Sequence, residues 1–449
     1  MCGDARTAAQ GVSTDTRALR PGQAFFALVG PRFDAHDYLP QAVAAGAKVL
    51  VVQRPPGDWL APEDMAVVQV GRTAPALLAL AAHYRRSLRA QVLAITGSYG
   101  KSTVKTMLGA ALTRVGRCTV APASFNNRIG VALSLLGARR DDDYVVLEMG
   151  TNHAGEIDEL ARAAQPDLGV ITAIGEVHLD GLGSLQGVAE AKAELIAHLD
   201  PAGALVLNAD DARCAALGAR FGGRVRTFGA DPSADVAVTN VRRADAGWAF
   251  EALGHEFTLA SGARHDALNA AAALCMASAL CVPAAEVAAA LAGVERPPMR
   301  YERVELGGVT FIRDCYNSNP PALRAALRSF LLEVGAGRKA IVCGDMLELG
   351  LHAGRLHREV GTDLAASGAE LVVAVGQMAS EFVAGWCTRA RAGQRALCFG
   401  SAEEAWLPTW EQLRPGDVVL LKASRALHLE TITDGIAAHL ARQGKEAAA

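Results

Sequence analysis

The 449-residue chain lacks any run of about 18 apolar residues, the length a membrane-crossing helix needs, so no such helix is expected. It also lacks a surplus of basic charge, with 44 Lys and Arg against 47 Asp and Glu. Coating nucleic acid or gripping an anionic membrane needs that surplus, so neither partner is expected. Nine cysteines are scattered without a Cys-x-x-Cys pair, which argues against a zinc ribbon or a thioredoxin-type centre. The opening Met1-Cys2-Gly3-Asp4 shows no basic stretch leading into an apolar core, so no export signal is read there. An odd count of thiols without such a signal fits a reducing, cytoplasmic setting. What the chain does have is apolar mass. Hydrophobic residues make up 51% and charged residues 20%, enough to bury large cores and too apolar for disorder. At about 150 residues per domain, the length suggests three domains.

Strand and helix signals alternate through most of the chain. Residues 25–28 and 48–52 read as short buried strands flanking an Ala-rich helix from Tyr38 to Ala47, and a second helix runs from Thr73 to Arg86. A boundary is expected near residue 89, where an apolar strand, Val92 to Thr96, begins abruptly. The helix after it carries Val104, Met107, Leu108, Ala111, Leu112 and Val115 at helical spacing. Tyr144–Met149 and Leu168–Thr172 read as further strands and Val188–Leu199 as a helix, which implies a mostly parallel sheet covered by helices. Residues 235–259 alternate as antiparallel strands do, and a helix from Asp266 to Leu280 follows. Glu295-Arg296-Pro297-Pro298 reads as a linker, because paired prolines cannot continue a helix. Beyond it a third alternating unit has strands at 309–313, 339–343, 371–375 and 417–422. The expected fold is therefore α/β with three units, at 1–88, 89–296 and 297–449.

The sharpest chemical signal is Thr96-Gly97-Ser98-Tyr99-Gly100-Lys101-Ser102-Thr103, between a strand and a helix. Glycines let backbone N–H groups wrap phosphate oxygens, and the helix N-terminus adds partial positive charge. Lys101 is placed to pair with β- and γ-phosphates, and the Ser102 hydroxyl to ligate Mg2+. Ile95 stands where the common motif has its first glycine, so the loop is a shortened variant. The reading is a nucleoside triphosphate site. Glu148 closes the strand that begins at Tyr144, at the carboxyl edge where sites in open parallel sheets lie, and His178 follows another such strand. Either fits a hard dication, although Glu148 also reads as a solvated carboxylate and His178 as a loop histidine. On spacing alone Lys192 reads as a solvated helix lysine between Glu190 and Glu194.

Taken together, these segments resemble the Mur ligases, ATP-dependent amide ligases of peptidoglycan precursor synthesis, over almost the full chain. The shortened loop Gly97-Ser98-Tyr99-Gly100-Lys101-Ser102 is similar to that of all members. Ser124-Phe125-Asn126-Asn127-Arg128-Ile129-Gly130, Leu147-Glu148-Met149-Gly150, Tyr316-Asn317-Ser318-Asn319-Pro320 and the segment from Gly344 to Gly350 add to the resemblance. The last two favour the branch that adds D-alanyl-D-alanine to UDP-N-acetylmuramoyl-tripeptide over sisters that add another amino acid.

The resemblance implies a small N-terminal α/β domain for the UDP-muramoyl substrate, a central P-loop-type domain, and a C-terminal Rossmann-like domain. That last domain would close over ATP and bind the dipeptide. It implies an acyl-phosphate mechanism with ATP and Mg2+ at two sites, Glu148 and His178 as ligands beside Ser102, and a carbamate on Lys192. Lys101, His178 and Lys192 would be the catalytic residues. Gly97, Ser98, Gly100, Lys101, Ser102, Thr103, Asn269, Arg300 and Asp314 would hold ATP. Asp15-Thr16-Arg17 resembles a uridine-binding segment, with Arg32 to Asp37 as its neighbouring loop. Asn126, Asn127, Asn317 and Asn319 would meet the substrates. The resemblance leaves open whether the third peptide residue is diaminopimelate or lysine, and the expected state is a monomer. A P-loop switch or motor is disfavoured, since no separate Asp-ended Walker-B strand is found.

Overall fold

The computed structural model describes residues 6–31, 33–55, 65–244, 247–260, 262–295, 297–334 and 337–446. Met1-Cys2-Gly3-Asp4, Arg32 and Arg296, named above, lie outside them. In the first unit, β1 (Val12–Ser13), β2 (Ala24–Phe26), β3 (Val49–Val52) and β4 (Ala66–Gln69) form a parallel sheet in that order. The helix expected over Tyr38–Ala47 is shorter than its composition suggests. A 3-10 turn, Ala35–Tyr38, comes first, and α1 (Leu39–Ala44) follows with a proline in its first turn. Gly46, at φ +89°, ends it. The helix α2 (Thr73–Arg85) packs on two helices of the next unit, α4 and α5 defined below, and so fastens the first sheet to the second.

The central sheet contains β5 (Gln91–Thr96), β6 (Cys118–Val120), β7 (Tyr144–Glu148), β8 (Leu168–Ile171), β9 (Ala204–Asn208), β10 (Arg224–Gly229) and β11 (Val236–Ala237). Its spatial order is β11-β10-β9-β8-β5-β7-β6, all parallel. β5, β7, β8 and β9 are buried almost throughout because helices cover both faces. Those helices are α3 (Lys101–Thr113), α4 (Arg128–Gly137), α5 (Glu156–Ala164), α6 (Leu179–Leu182), α7 (Leu185–Ala193), α8 (Ala212–Ala216), α9 (Asp266–Ala279) and α10 (Ala284–Gly293). The apolar stripe of α3, including Val104, Leu108, Ala111 and Leu112, is fully buried, and α9 packs beside it. The helix expected over Val188–Leu199 instead ends at Ala193 and tightens into a 3-10 turn, Glu194–His198. There Glu194 is drawn off to accept the Gly155 and Asp158 N–H groups at the start of α5. Residues 239–259 do form antiparallel strands, β12 (Thr239–Ala244), β13 (Gly247–Ala252) and β14 (His255–Leu259).

The third sheet has the order β15-β16-β20-β17-β18-β19. Its strands are β15 (Glu302–Leu306), β16 (Val309–Arg313), β17 (Lys339–Gly344), β18 (Leu371–Val375), β19 (Arg395–Phe399) and β20 (Val418–Lys422), and only β15 is antiparallel to its neighbour. Helices α11 (Pro320–Val334), α12 (Ala353–Ala366), α13 (Ala379–Cys387), α14 (Ala402–Gln412) and α15 (Thr431–Glu446) cover it. In each large sheet the order of strand addition reverses near the middle: β7 and β6 lie on one side of β5 and β8 to β11 on the other, and in the third sheet β20 is inserted between β16 and β17. A crevice opens beyond the carboxyl ends of strands at such a reversal. One cavity is lined from both units, by residues at the carboxyl ends of β5, β7, β16 and β20. No helix among the described residues is long and apolar enough to cross a membrane.

Candidate active site

The loop after β5 is shaped by two glycines. Gly97 has φ +139°, and a Cβ there would collide with the Thr172 hydroxyl and backbone. Gly100 has φ +84°, and a Cβ there would lie 2.5 Å from Asn269 Oδ1. Only glycine relieves both constraints. Ser98 Oγ accepts the Gly175 N–H at 2.9 Å, tying the loop to the segment after β8. The helix α3 then begins at Lys101, whose ammonium donates to Gly97 O at 2.7 Å. Burial and the Arg300 charge lower the Lys101 pKa, with Glu148 opposing them. Together the loop residues from Ser98 to Thr103 line a cavity of ≈ 330 Å³, with Asn269 at its side.

Glu148 borders the same cavity and is 1% exposed, so it is no solvated strand-end carboxylate. Burial pushes its pKa up, but Lys105 and Lys101, with hydrogen bonds from Asn126 and Ser102, outweigh burial and hold it low. Lys105 Nζ stands 3.2 Å from Glu148 Oε2, and Asn126 Nδ2 donates to Oε1 at 3.0 Å. Beyond its ion pair with Lys105, the buried Glu148 Oε2 has no hydrogen-bond partner among the described residues, and the Ser102 hydroxyl lies beside the carboxylate. Such a donor set fits Mg2+, which takes one or two carboxylates and completes its shell with phosphate and water. Among the described residues no group of three or more His, Cys, Asp or Glu gathers as an all-protein cage.

The third unit supplies the opposite wall. Arg300 donates to Ser102 Oγ at 2.9 Å and lies over the Tyr316 ring at 4.4 Å. Tyr316 OH contacts the Ser124 hydroxyl of the central unit. Asp314 follows β16 and pairs with Lys422 at the end of β20 at 2.9 Å, and the Lys422 ammonium also donates to Asn317 O at 2.8 Å. Asn319 lines the cavity too, although its side chain accepts the Ala322 N–H at 2.9 Å and so caps α11.

A second cavity of ≈ 510 Å³ adjoins the first, and Lys101, Asn126 and Asn317 line both. His178 lines only this one. Its Nδ1 pairs with Glu348 of the third unit, so the structure does not bring its ring into the Glu148–Ser102 set. Asn127 lines the cavity as well, yet its side chain caps α4 by accepting the Gly130 N–H at 3.0 Å. Lys192 overturns the solvated reading: it is 1% exposed because α7 turns this face inward. Burial, then the nearby Lys101 charge, drive its pKa far below the ordinary lysine value, against Glu194 and Glu156. Asp15, Thr16 and Arg17 line neither cavity. In the first unit Arg17 Nη2 donates to Asp15 Oδ2 at 2.7 Å, at the surface.

Lys105, Glu348 and Tyr316 were not among the sequence-based site residues. Lys105 carries the clearest overlooked signal: it lies one helical turn after Lys101, on a helix otherwise rich in buried apolar residues.

Comparison with known proteins agrees with this layout. The profile of the Mur ligase family, catalytic domain, matches residues 9–85, that of the Mur ligase middle domain residues 95–277, and that of the Mur ligase, glutamate ligase domain residues 299–425. The chain is 34% identical over 430 residues to the UDP-N-acetylmuramoyl-tripeptide--D-alanyl-D-alanine ligase of Bacillus subtilis, covering 95% of this chain and 93% of the relative. It is similar to a crystal structure of MurF from Acinetobacter baumannii, with a TM-score of 0.85 at 33% identity, covering 95% and 92% of the two chains. It is also similar to MurF ligase from Thermotoga maritima in complex with ADP, with a TM-score of 0.83 at 26% identity, covering 98% and 99%.

Proposed function

The chain belongs to the Mur ligase family, and from that premise we propose that it joins D-alanyl-D-alanine to UDP-N-acetylmuramoyl-tripeptide at the expense of ATP, as a cytoplasmic monomer. The observation that carries this reading is the shared wall of the two cavities. Lys101, Asn126 and Asn317 touch both, so a nucleotide in one and a carboxylate in the other would meet at the phosphate loop. Residues 1–88 would bind the UDP-muramoyl part, with Asp15, Thr16 and Arg17 at the uridine. Residues 89–296 would hold ATP, and 297–449 would close over it and bind the dipeptide.

A carboxylate is inert toward amines in water. In this reading its oxygen attacks the γ-phosphorus of ATP, the bond to the β-phosphate oxygen breaks, and ADP leaves. The dipeptide amine then attacks the acyl carbon, an amine proton is lost, and the carbon–oxygen bond to phosphate breaks. Lys101 neutralises charge on the transferring phosphoryl oxygens. When bound, Mg2+ held by Glu148 and Ser102, with His178 at a second position, would supply further neutralisation of phosphate charge. Asn269, Arg300 and Asp314 would position the nucleoside and its phosphates. Arg300 and Tyr316, reaching across from the third unit, help exclude the water that would hydrolyse an acyl phosphate.

Lys192 would carry a carbamate. Its buried amine makes no hydrogen bond or ion pair among the described residues, and burial favours the neutral form that attacks CO2, with loss of a proton. Mass spectrometry of the intact protein with and without bicarbonate reads this adduct. No adduct at saturating bicarbonate, or full activity in Lys192→Ala, would remove it. The overall function is tested by incubating the muramoyl tripeptide, ATP and D-alanyl-D-alanine and weighing the product. Pentapeptide with ADP and phosphate is expected, and brisk ATP hydrolysis without either acceptor counts against the scheme.

A further inference from the structure

Two non-glycine residues with left-handed backbones meet across the boundary between the central and third units. His178, at φ +50°, precedes α6, and Glu348, at φ +63°, lies between β17 and α12. A Cβ makes that conformation costly, so such residues persist only where their surroundings over-determine them. The pins around Glu348 come from its own unit. The Asp345 carboxylate accepts the Gln377 and Met378 N–H groups at 2.8 and 2.9 Å, His357 Nε2 accepts the Met346 N–H at 2.9 Å, and Ser424 Oγ accepts the Leu347 N–H at 3.0 Å. Met346 and Leu349 are buried on either side. The segment is a rigid strut.

What the strut presents goes to the central unit. The Glu348 carbonyl accepts the Asp180 N–H at 3.2 Å, its carboxylate contacts His178 Nδ1, and Asn152 Nδ2 donates to Oε1 at 3.4 Å. Gly350 comes so near that a Cβ there would lie 3.1 Å from Asp180 Cα. Among the described residues the Glu348 side chain has no hydrogen-bond partner within its own unit, so the strained residue serves the boundary. A carboxylate can only accept. Nδ1 of the neutral His178 ring therefore carries the hydrogen, and Nε2 keeps a lone pair. His178 lines the second cavity, and its Nε2 has no hydrogen-bond partner among the described residues.

Resting on the ligase reading above, we propose that Glu348 is a positioning residue: its carboxylate fixes the His178 ring in the Nδ1–H form and holds the Nε2 lone pair ready for the second cavity. That carboxylate arrives with the third unit, so His178 is set only when the unit is seated. ATP is then cleaved only where water is already excluded.

The test joins kinetics to heavy-nitrogen NMR of histidine-labelled protein, at a mildly alkaline pH that keeps the ring neutral. The His178 signal is assigned by its loss in His178→Asn. Wild type is expected to show the Nδ1–H form. Glu348→Gly suits the left-handed backbone while removing the carboxylate, so Tm should stay within about 2 °C of wild type. The His178 hydrogen should redistribute toward Nε2, and kcat should fall roughly ten- to a hundredfold. KM for ATP should stay within about twofold, because the Arg300–Ser102 wall is untouched. Glu348→Gln keeps the length of the side chain and can still bond Nδ1, so it should retain part of kcat even if the glycine variant folds poorly. An unchanged Nδ1–H signature in Glu348→Gly, or a kcat within twofold of wild type, would overturn the proposal. A loss shared equally between kcat and the ATP KM would assign Glu348 to docking alone and overturn it too. Failure of wild type to form pentapeptide would instead overturn the ligase reading, a distinct result, since the His178 signature is read in resting protein.

Discussion

Replacing Lys105 by methionine removes the cation nearest the Glu148 carboxylate while keeping the volume of the side chain. Lys105 and Glu148 are 3% and 1% exposed, so nothing but protein can compensate the charge left behind. Removing one partner of a buried pair costs about 3–5 kcal/mol. In a unit of this size about 1 kcal/mol moves Tm by 2–4 °C, so a fall of roughly 6–20 °C is expected. Removing both charges, in K105M/E148Q, should restore much of the loss, because the unpaired carboxylate and not the missing contact is the main penalty. The sign with pH follows. In wild type the Glu148 pKa is held below its unfolded value, so its contribution is present above about pH 4.3 and is lost as pH falls through the folded pKa. In Lys105→Met the largest influence opposing burial is gone and the Glu148 pKa rises above its wild-type position, so the deficit is largest near neutrality and shrinks on acidification. Calorimetry of wild type, Lys105→Met, Glu148→Gln and the double variant from neutral to mildly acid pH reads all of this. A Lys105→Met Tm within a degree or two of wild type, or a double variant as unstable as the sum of the singles, would refute the reasoning.

Gly100→Ala puts a methyl 2.5 Å from Asn269 Oδ1 at φ +84°, and KM for ATP is expected to rise by an order of magnitude or more; an unchanged KM would show that the loop adapts. Arg300→Ala removes a charged donor to Ser102 and the cation over Tyr316, worth about 1–3 kcal/mol, so KM for ATP should rise roughly ten- to a hundredfold in steady-state assays. His357 Nε2 accepts the Met346 N–H at 2.9 Å, and burial lowers the His357 pKa. Protonation destroys that acceptor, so its stabilisation is full above about pH 6.5 and is lost on acidification through the folded pKa. In His357→Phe the Tm–pH slope below neutrality should flatten, and an undiminished slope would assign it to another group.

Much of the architecture was legible because its signals are local. The phosphate loop announces itself by glycine spacing, and the buried strands β5, β7, β8, β18 and β20 are short apolar runs. β15 and β19 were missed for a physical reason. They are edge strands, with alternating or partial exposure and charged residues such as Glu302, Arg303 and Arg395 in place of an apolar run. The site shows the same divide. Residue types at strand ends pointed to Glu148 and Lys101, whereas burial is a tertiary property. Lys192 therefore read as solvated although α7 turns it inward, and Lys105 was not singled out at all, because only the fold brings its ammonium to Glu148 and Ala123 O. Glu348 could be paired with His178 only by knowing that the third unit folds back over the central one.

The most direct measurement places heavy oxygen in the terminal carboxylate of the muramoyl tripeptide and follows it through one turnover. Activation through an acyl phosphate requires one labelled atom in the inorganic phosphate for each amide bond formed. Unlabelled phosphate alongside finished pentapeptide would contradict it.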